Sequence, residues 1–251
     1  MLQVKNLTVA FTGQTILDSI NFHIEEGDWL MIIGSNGAGK TTITNAISQS
    51  LPYTGEILYK GTDIKEMRSK DRAEKIGVLM QNHMVSYGFK VKEIVEMGRY
   101  AYSKDFLSTI SDEDENMVEY ALEKTGLKKL KNQSVLKLSG GELQRTFLAQ
   151  LIAQNPSLMI LDEPTNHLDI SYQEQTFNLI RDWLKEGNRA VISVVHDLRL
   201  ARMYGNKALL LKEGKIMFAG KMEEVMQQDV LKQGYGVDVY DWQKRLNKNW
   251  N

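Results

Sequence analysis

No cysteine occurs among the 251 residues, which excludes a disulfide framework, thiolate zinc sites and a cysteine nucleophile. Long apolar runs are missing as well. The longest, Trp29–Ile33, has five residues, against the roughly 18 or more that a bilayer span needs. Nor does one sign of charge dominate: 31 Lys and Arg nearly cancel 32 Asp and Glu, for a net charge of −1. No global field therefore draws the chain to nucleic acid or to an anionic membrane. Met1–Ala10 carries Lys5 and Asn6 where a leader would need an apolar stretch, so no signal peptide is expected. There is no internal repeat, low-complexity segment or long linker. What remains is ordinary globular composition, 42% hydrophobic and 25% charged. It supplies apolar mass for a core and gives no case for disorder. The length suits one large domain or two small ones. The expectation is a soluble, cytoplasmic chain that meets a membrane only through partners.

Short apolar runs alternate with longer amphipathic stretches, the pattern of α/β architecture. Strands are expected at Leu2–Ala10, Trp29–Ile33, Ile76–Met80, Leu158–Leu161 and Ala190–Val195. A closing hairpin, Lys207–Leu211 with Lys215–Ala219, is expected around Glu213-Gly214. Several of these runs are apolar nearly throughout, which suits strands covered on both faces. Between about Val91 and Gln154 no strand is expected. One helix opens at Ser111, has Asp114 at capping-box spacing and stops near Gly126. Its acidic start, Asp112-Glu113-Asp114-Glu115, suits the positive end of the helix dipole. A second runs from Glu142 to about Gln154, with Leu143, Phe147, Leu148, Leu151 and Ile152 on one face, and ends at Asn155-Pro156. A helical subdomain is thus inserted in an α/β core.

Gly34-Ser35-Asn36-Gly37-Ala38-Gly39-Lys40-Thr41 fits the spacing G-x-x-x-x-G-K-[ST]. The glycines let the backbone curl until successive N–H groups point into one anion-sized hollow. Lys40 would reach the β- and γ-phosphates, the Thr41 hydroxyl would ligate Mg²⁺, and Thr42 is placed with them as a nucleotide contact. The helix that follows turns its positive dipole end toward the phosphates. Hydrolysis further needs an acidic residue at the metal and a group that orients water. Leu158–Leu161 would be a buried strand with Asp162 and Glu163 at its carboxyl end, where open α/β sheets bind ligands. Asp162 would hold Mg²⁺, and Glu163 would accept the proton of the attacking water. Together these features describe a P-loop NTPase.

Three further features narrow the class: Leu138-Ser139-Gly140-Gly141-Glu142 ahead of a helix, Gln81 after one strand and His196 after another. With these the sequence resembles the ATP-binding cassette (ABC) family. The matches run in family order from Phe11 to His196, through Gly34–Thr41, Gln81, Leu138–Glu142, Leu161–Pro164 and Asn166–Asp169. The resemblance covers essentially the whole chain. It implies one ABC ATPase domain over 1–251, with a RecA-like core bearing an antiparallel β edge. The nucleotide-binding α/β core would be 1–85 and 155–220, the helical signature-motif subdomain 86–154 and a C-terminal helical tail 221–251. It implies a homodimer in which each ATP is held between one phosphate loop and the Ser139, Gly140 and Gly141 amides of the other copy. Phe11 matches the position that stacks on adenine, where the family usually has Tyr. Gln81 matches a residue touching Mg²⁺ and water, His196 one that contacts the γ-phosphate and orients Glu163, and Asp169 the loop crossing the dimer interface.

Within the family, Leu161–Ile170 and the tail around Tyr235-Gly236-Val237-Asp238-Val239 resemble importers of iron–siderophore complexes, haem and cobalamin. That resemblance implies two membrane-spanning permease subunits and, indirectly, a substrate-binding protein, with the chain held at the cytoplasmic face of the membrane. His83-Met84-Val85-Ser86-Tyr87-Gly88-Phe89 mixes aromatic, apolar and flexible residues suited to gripping a short partner helix. The alternative, a non-transport ABC ATPase acting on ribosomes or DNA, finds neither a second cassette nor a broad phosphate-binding surface. No nucleic-acid partner is expected.

Overall fold

The computed structural model describes residues 1–81, 85–102, 111–166 and 168–248. Along the chain β1 (Leu2–Phe11), β2 (Gln14–Ile24), β3 (Trp29–Gly34), α1 (Lys40–Ile47), β4 (Thr54–Tyr59) and β5 (Thr62–Asp63) come first. Then follow α2 (Ser69–Lys75), β6 (Ile76–Leu79), α3 (Val91–Glu96), α4 (Asp112–Lys124), α5 (Gly140–Gln154), β7 (Leu158–Asp162) and α6 (Ile170–Leu184). Last are β8 (Ala190–Val194), α7 (Leu198–Tyr204), β9 (Lys207–Lys212), β10 (Lys215–Lys221), α8 (Met222–Val225), α9 (Gln228–Tyr235) and α10 (Val239–Lys248). Two compact units result, Met1–Lys65 with Ile192–Asn251 and Glu66–Val191, and the division falls inside β8.

In the first unit an antiparallel sheet has the order β2-β1-β4-β5. The β1–β2 turn places Thr12 and Gly13 at φ 45° and 85°, as tight hairpin turns require. β1 is bulged against β2, with register shifts between Val4 and Ala10, and its neighbour Gly55 lies against the Asn6 carbonyl at φ 91°. The second layer puts β9 between β10, antiparallel, and β3, parallel. All six residues of β3 are buried, as its unbroken apolar run demands. Trp29 fixes the start of that strand: its Nε1 donates to Ser193 Oγ at 2.8 Å, and its backbone N–H donates to Asn206 Oδ1 at 2.8 Å.

In the second unit β6 and β7 run parallel, Ile76 opposite Leu158 through Leu79 opposite Leu161. Every residue of β7 is buried. The rest is helical. Ser111 caps α4 by accepting the Asp114 N–H at 3.2 Å, and the helix ends at Thr125 with Gly126 at φ 70°. Arg99, nearly buried, ties the start of α4 to the end of α5: its Nε donates to Asp114 Oδ1 at 2.6 Å and its Nη1 to the Ala153 carbonyl at 3.0 Å. The turn carrying Arg99 approaches α5 so closely that a Cβ at Gly98 would meet the Gln150 carbonyl oxygen. At the same end Gln154 Nε2 donates to the Ile76 carbonyl at 3.1 Å, joining α5 to β6. The C-terminal end of the long helix is thereby held from two sides.

Candidate functional site

The phosphate loop belongs to the first unit. β3 delivers Gly34 at φ 145°, where the Cβ of any other residue would collide with the Leu211 carbonyl oxygen on β9. Gly37 and Gly39 also have positive φ, 77° and 102°. At Gly39 a side chain would sit 2.7 Å from Leu17 Cδ2. The glycines therefore serve backbone geometry, as the motif requires. Ser35, Asn36 and Gly37 are exposed at the mouth, while Ala38 is buried and its carbonyl accepts the Gly214 N–H at 3.0 Å. Lys40 opens α1, is nearly buried, and donates from Nζ to the Gly34 and Ser35 carbonyls, both at 2.9 Å. Its ammonium thus bridges the loop's own first carbonyls, and Thr41 and Thr42 follow in the first turn of the helix. Phe11 ends β1 and is 45% exposed, leaving ring surface for a planar base. His196 is exposed beyond the end of β8, just before Asp197 caps α7.

Asp162 and Glu163 belong to the second unit. Asp162 ends β7 and is fully buried. At Glu163 the chain leaves the strand at φ 54°, a conformation uncommon for a side-chain-bearing residue and concentrated at functional sites. Glu163 Oε2 accepts Gln81 Nε2 at 2.8 Å and Asn166 Nδ2 at 2.7 Å. Two neutral amides thus orient one carboxylate. Sequence reading singled out Gln81 and Glu163 but gave Asn166 no role toward Glu163. Its spacing of three residues, within a turn closed by the Asn166 N–H on the Glu163 carbonyl, was the available signal. His167 lies outside the described residues. Asp169 caps α6, accepting the Tyr172 N–H and the Ser171 hydroxyl, each at 3.0 Å. Those two donors, the N–H foremost, hold its carboxyl below the usual range.

The signature residues begin α5 two positions earlier than the expected Glu142. Gly140 and Gly141 form its first turn, and Ser139 is the cap. A capping box explains how two poor helix formers come to start a helix: Ser139 Oγ accepts the Glu142 N–H at 3.3 Å, and Glu142 Oε2 accepts the Ser139 N–H at 2.8 Å. The same Ser139 N–H, followed by its hydroxyl, holds the Glu142 carboxyl below its ordinary value. Deeper in the helix Gln144 Nε2 donates to the Pro164 carbonyl at 3.3 Å, and Arg145 stacks on Tyr172 at 3.7 Å. The signature helix is therefore tied directly to the turn after Glu163. Nothing local in the sequence announces that link, since the two residues lie 20 apart.

Of the expected docking stretch, His83 and Met84 lie outside the described residues. Tyr87 is 72% exposed and packs edge-on against Phe89, ring centroids 6.2 Å apart. No helix among the described residues is long and apolar enough to cross a membrane.

Residues 17–166 match the family described as ABC transporter. The chain is 34% identical over 232 residues to the petrobactin import ATP-binding protein FpuD of Bacillus anthracis, covering 92% of this chain and 85% of that one. It is 35% identical to the ferric enterobactin transport ATP-binding protein FepC of Escherichia coli K12, covering 94% and 87%. Among solved structures it is similar to the ATP-binding cassette MJ0796, a dimer in a post-hydrolysis state bound to ADP and Pi: TM-score 0.78, 27% identity, 88% of this chain and 99% of that one. On the family match and these relatives, the chain belongs to the ABC transporter family, as one of its ATP-hydrolysing subunits.

Proposed function

We propose that the chain drives an importer of a metal complex, of the iron–siderophore, haem or cobalamin type. It would work as a homodimer with two membrane-spanning permease subunits and, through them, a substrate-binding protein, at the cytoplasmic face of the membrane. The single observation that carries the hydrolytic reading is the Glu163 carboxylate held by Gln81 and Asn166 beside the buried Asp162. The petrobactin and enterobactin relatives favour an iron-complex cargo.

ATP is the substrate. The loop amides of residues 34–39 and the Lys40 ammonium bind its phosphates, and Phe11 stacks on the base. Glu163, aligned by its two amide partners, takes the proton from the attacking water as that oxygen bonds to the γ-phosphorus and ADP departs. His196 contacts the γ-phosphate. The Ser139, Gly140 and Gly141 amides at the start of α5 offer donors to the γ-phosphate bound by the other copy, with Asp169 at the same interface. When phosphate leaves, that second grip is lost and the dimer can part.

Mg²⁺ fits the residues present. A fully buried carboxylate such as Asp162 is favourable only beside a cation or donors. In the same unit Gln81 carries an amide oxygen, and the family resemblance implies that the Thr41 hydroxyl would join as a ligand; both are hard donors suited to this ion. No group of three or more His, Cys, Asp or Glu gathers among the described residues. When bound, the metal would neutralise charge on the phosphate oxygens.

Purification of the tagged chain from membranes of its source tests the importer reading. Two membrane proteins should accompany it, and Tyr87→Asp should release them while ATP affinity of the isolated chain stays within about twofold, the scatter expected of a remote surface change. Recovery of ribosomes or DNA in place of membrane proteins would contradict the reading.

A further inference from the structure

The loop's first peptide has an anchor outside the motif. Gly34 N–H donates to the hydroxyl oxygen of Tyr235 at 3.0 Å, across 201 residues of sequence. Tyr235 is the last residue of α9, and that helix is seated on the strand next to the loop. Leu231 is buried, Gly234 lies against Leu210 with room for no Cβ (2.5 Å to Leu210 Cδ2), and Lys212 Nζ donates to the Gln233 carbonyl at 3.0 Å. Gly236 at φ 73° ends the helix immediately after the tyrosine. Burial raises the phenol's pKa, with the Gly34 N–H pulling the other way, so the hydroxyl stays protonated and neutral at physiological pH.

Gly34 is the joint of the loop. Its φ of 145° is open only to glycine, and its carbonyl, with that of Ser35, receives the Lys40 ammonium. The residue whose N–H Tyr235 holds is therefore the residue whose carbonyl accepts the phosphate-binding lysine. We infer that Tyr235 is a positioning residue for nucleotide binding: its hydroxyl fixes the N–H side of Gly34, and through that residue the carbonyl that Lys40 grips and the loop amides that follow. The C-terminal segment thereby sets how tightly the loop holds a nucleotide. This rests on the ATP-binding reading of the loop.

The test uses the full chain in three forms: parental, Tyr235→Phe and Tyr235→Ala. KM for ATP, kcat, inhibition by ADP and thermal midpoint are measured for each. Phe keeps the ring and removes only the hydroxyl. With one neutral hydrogen bond lost, KM for ATP should rise about three- to tenfold. The ADP inhibition constant should rise by the same factor, because both nucleotides carry the phosphates the loop cradles. The value of kcat should hardly move, and the midpoint should fall by only a few degrees. Gly234→Val, which would push α9 off Leu210 without touching the hydroxyl, should raise KM in the same direction. A ring-packing role predicts instead that Phe matches the parental protein and only Ala departs. Unchanged KM in Tyr235→Phe overturns the inference even if Ala fails to fold. Failure of the parental protein itself to bind ATP would overturn the function proposed above and this inference with it.

Discussion

The phosphate loop and the Glu163 turn are made of different materials. The first works through main chain: three positive-φ glycines, loop amides, and a lysine bound to the carbonyls of residues 34 and 35. The second works through side chains: one carboxylate, two amides, and a glutamine from the signature helix reaching the Pro164 carbonyl. A main-chain device is specified by a short contiguous motif and broken by almost any change of shape. A side-chain device is assembled from distant residues and can be dismantled one function at a time. Affinity and turnover should therefore separate under mutation.

The largest separation is expected at Glu163. Glu163→Gln keeps the shape and both amide neighbours but removes the proposed base. Phosphate release should fall by about 10²- to 10⁴-fold, while ATP affinity from equilibrium titration stays near parental. Equal losses in both would erase the contrast. At Gly34 the effect should appear in the fold itself. Gly34→Ala forces a side chain onto the Leu211 carbonyl oxygen at φ 145°, and should cost about 2–4 kcal/mol by urea unfolding. A stable, ATP-binding Gly34→Ala protein would show that the loop does not depend on this close approach.

A smaller effect is expected at the signature cap. Glu142→Ala removes one side of the box and should cost about 1 kcal/mol. Because the folded-state pKa of Glu142 lies below its reference value of 4.5, its contribution is fully present above that pH. It is lost as pH falls through the folded value. Parental and mutant stabilities should therefore differ near neutrality and converge on acidification. Divergence at low pH would contradict the capping geometry.

The same contrast explains what could be read in advance. Trp29–Ile33, Leu158–Leu161 and Ala190–Val195 were legible because strands buried on both faces leave continuous apolar runs, and the loop was legible because its chemistry is contiguous. β2 was not. Its buried Leu17, Ile20 and Ile24 fall three and four residues apart, a helix-like spacing produced by bulges at Ser19 (φ 52°) and along β1. β4 is short and carries Gly55, and α3 has only six residues, too few for a period to show. The start of α5 was misplaced by two residues because glycine's low helix propensity hid a capping box that overrides it. At the site, Gln81 and Glu163 are 82 residues apart, and the Tyr235 anchor is farther still. Only the folded chain brings such pairs together.

The most direct test of the account is the assembly state of Glu163→Gln by sedimentation velocity, with Mg²⁺ and either ATP or ADP. The account predicts a dimer with ATP, gripped by loop and signature amides from two copies, and monomers with ADP. Monomers under both conditions, or a dimer indifferent to the nucleotide, would contradict it.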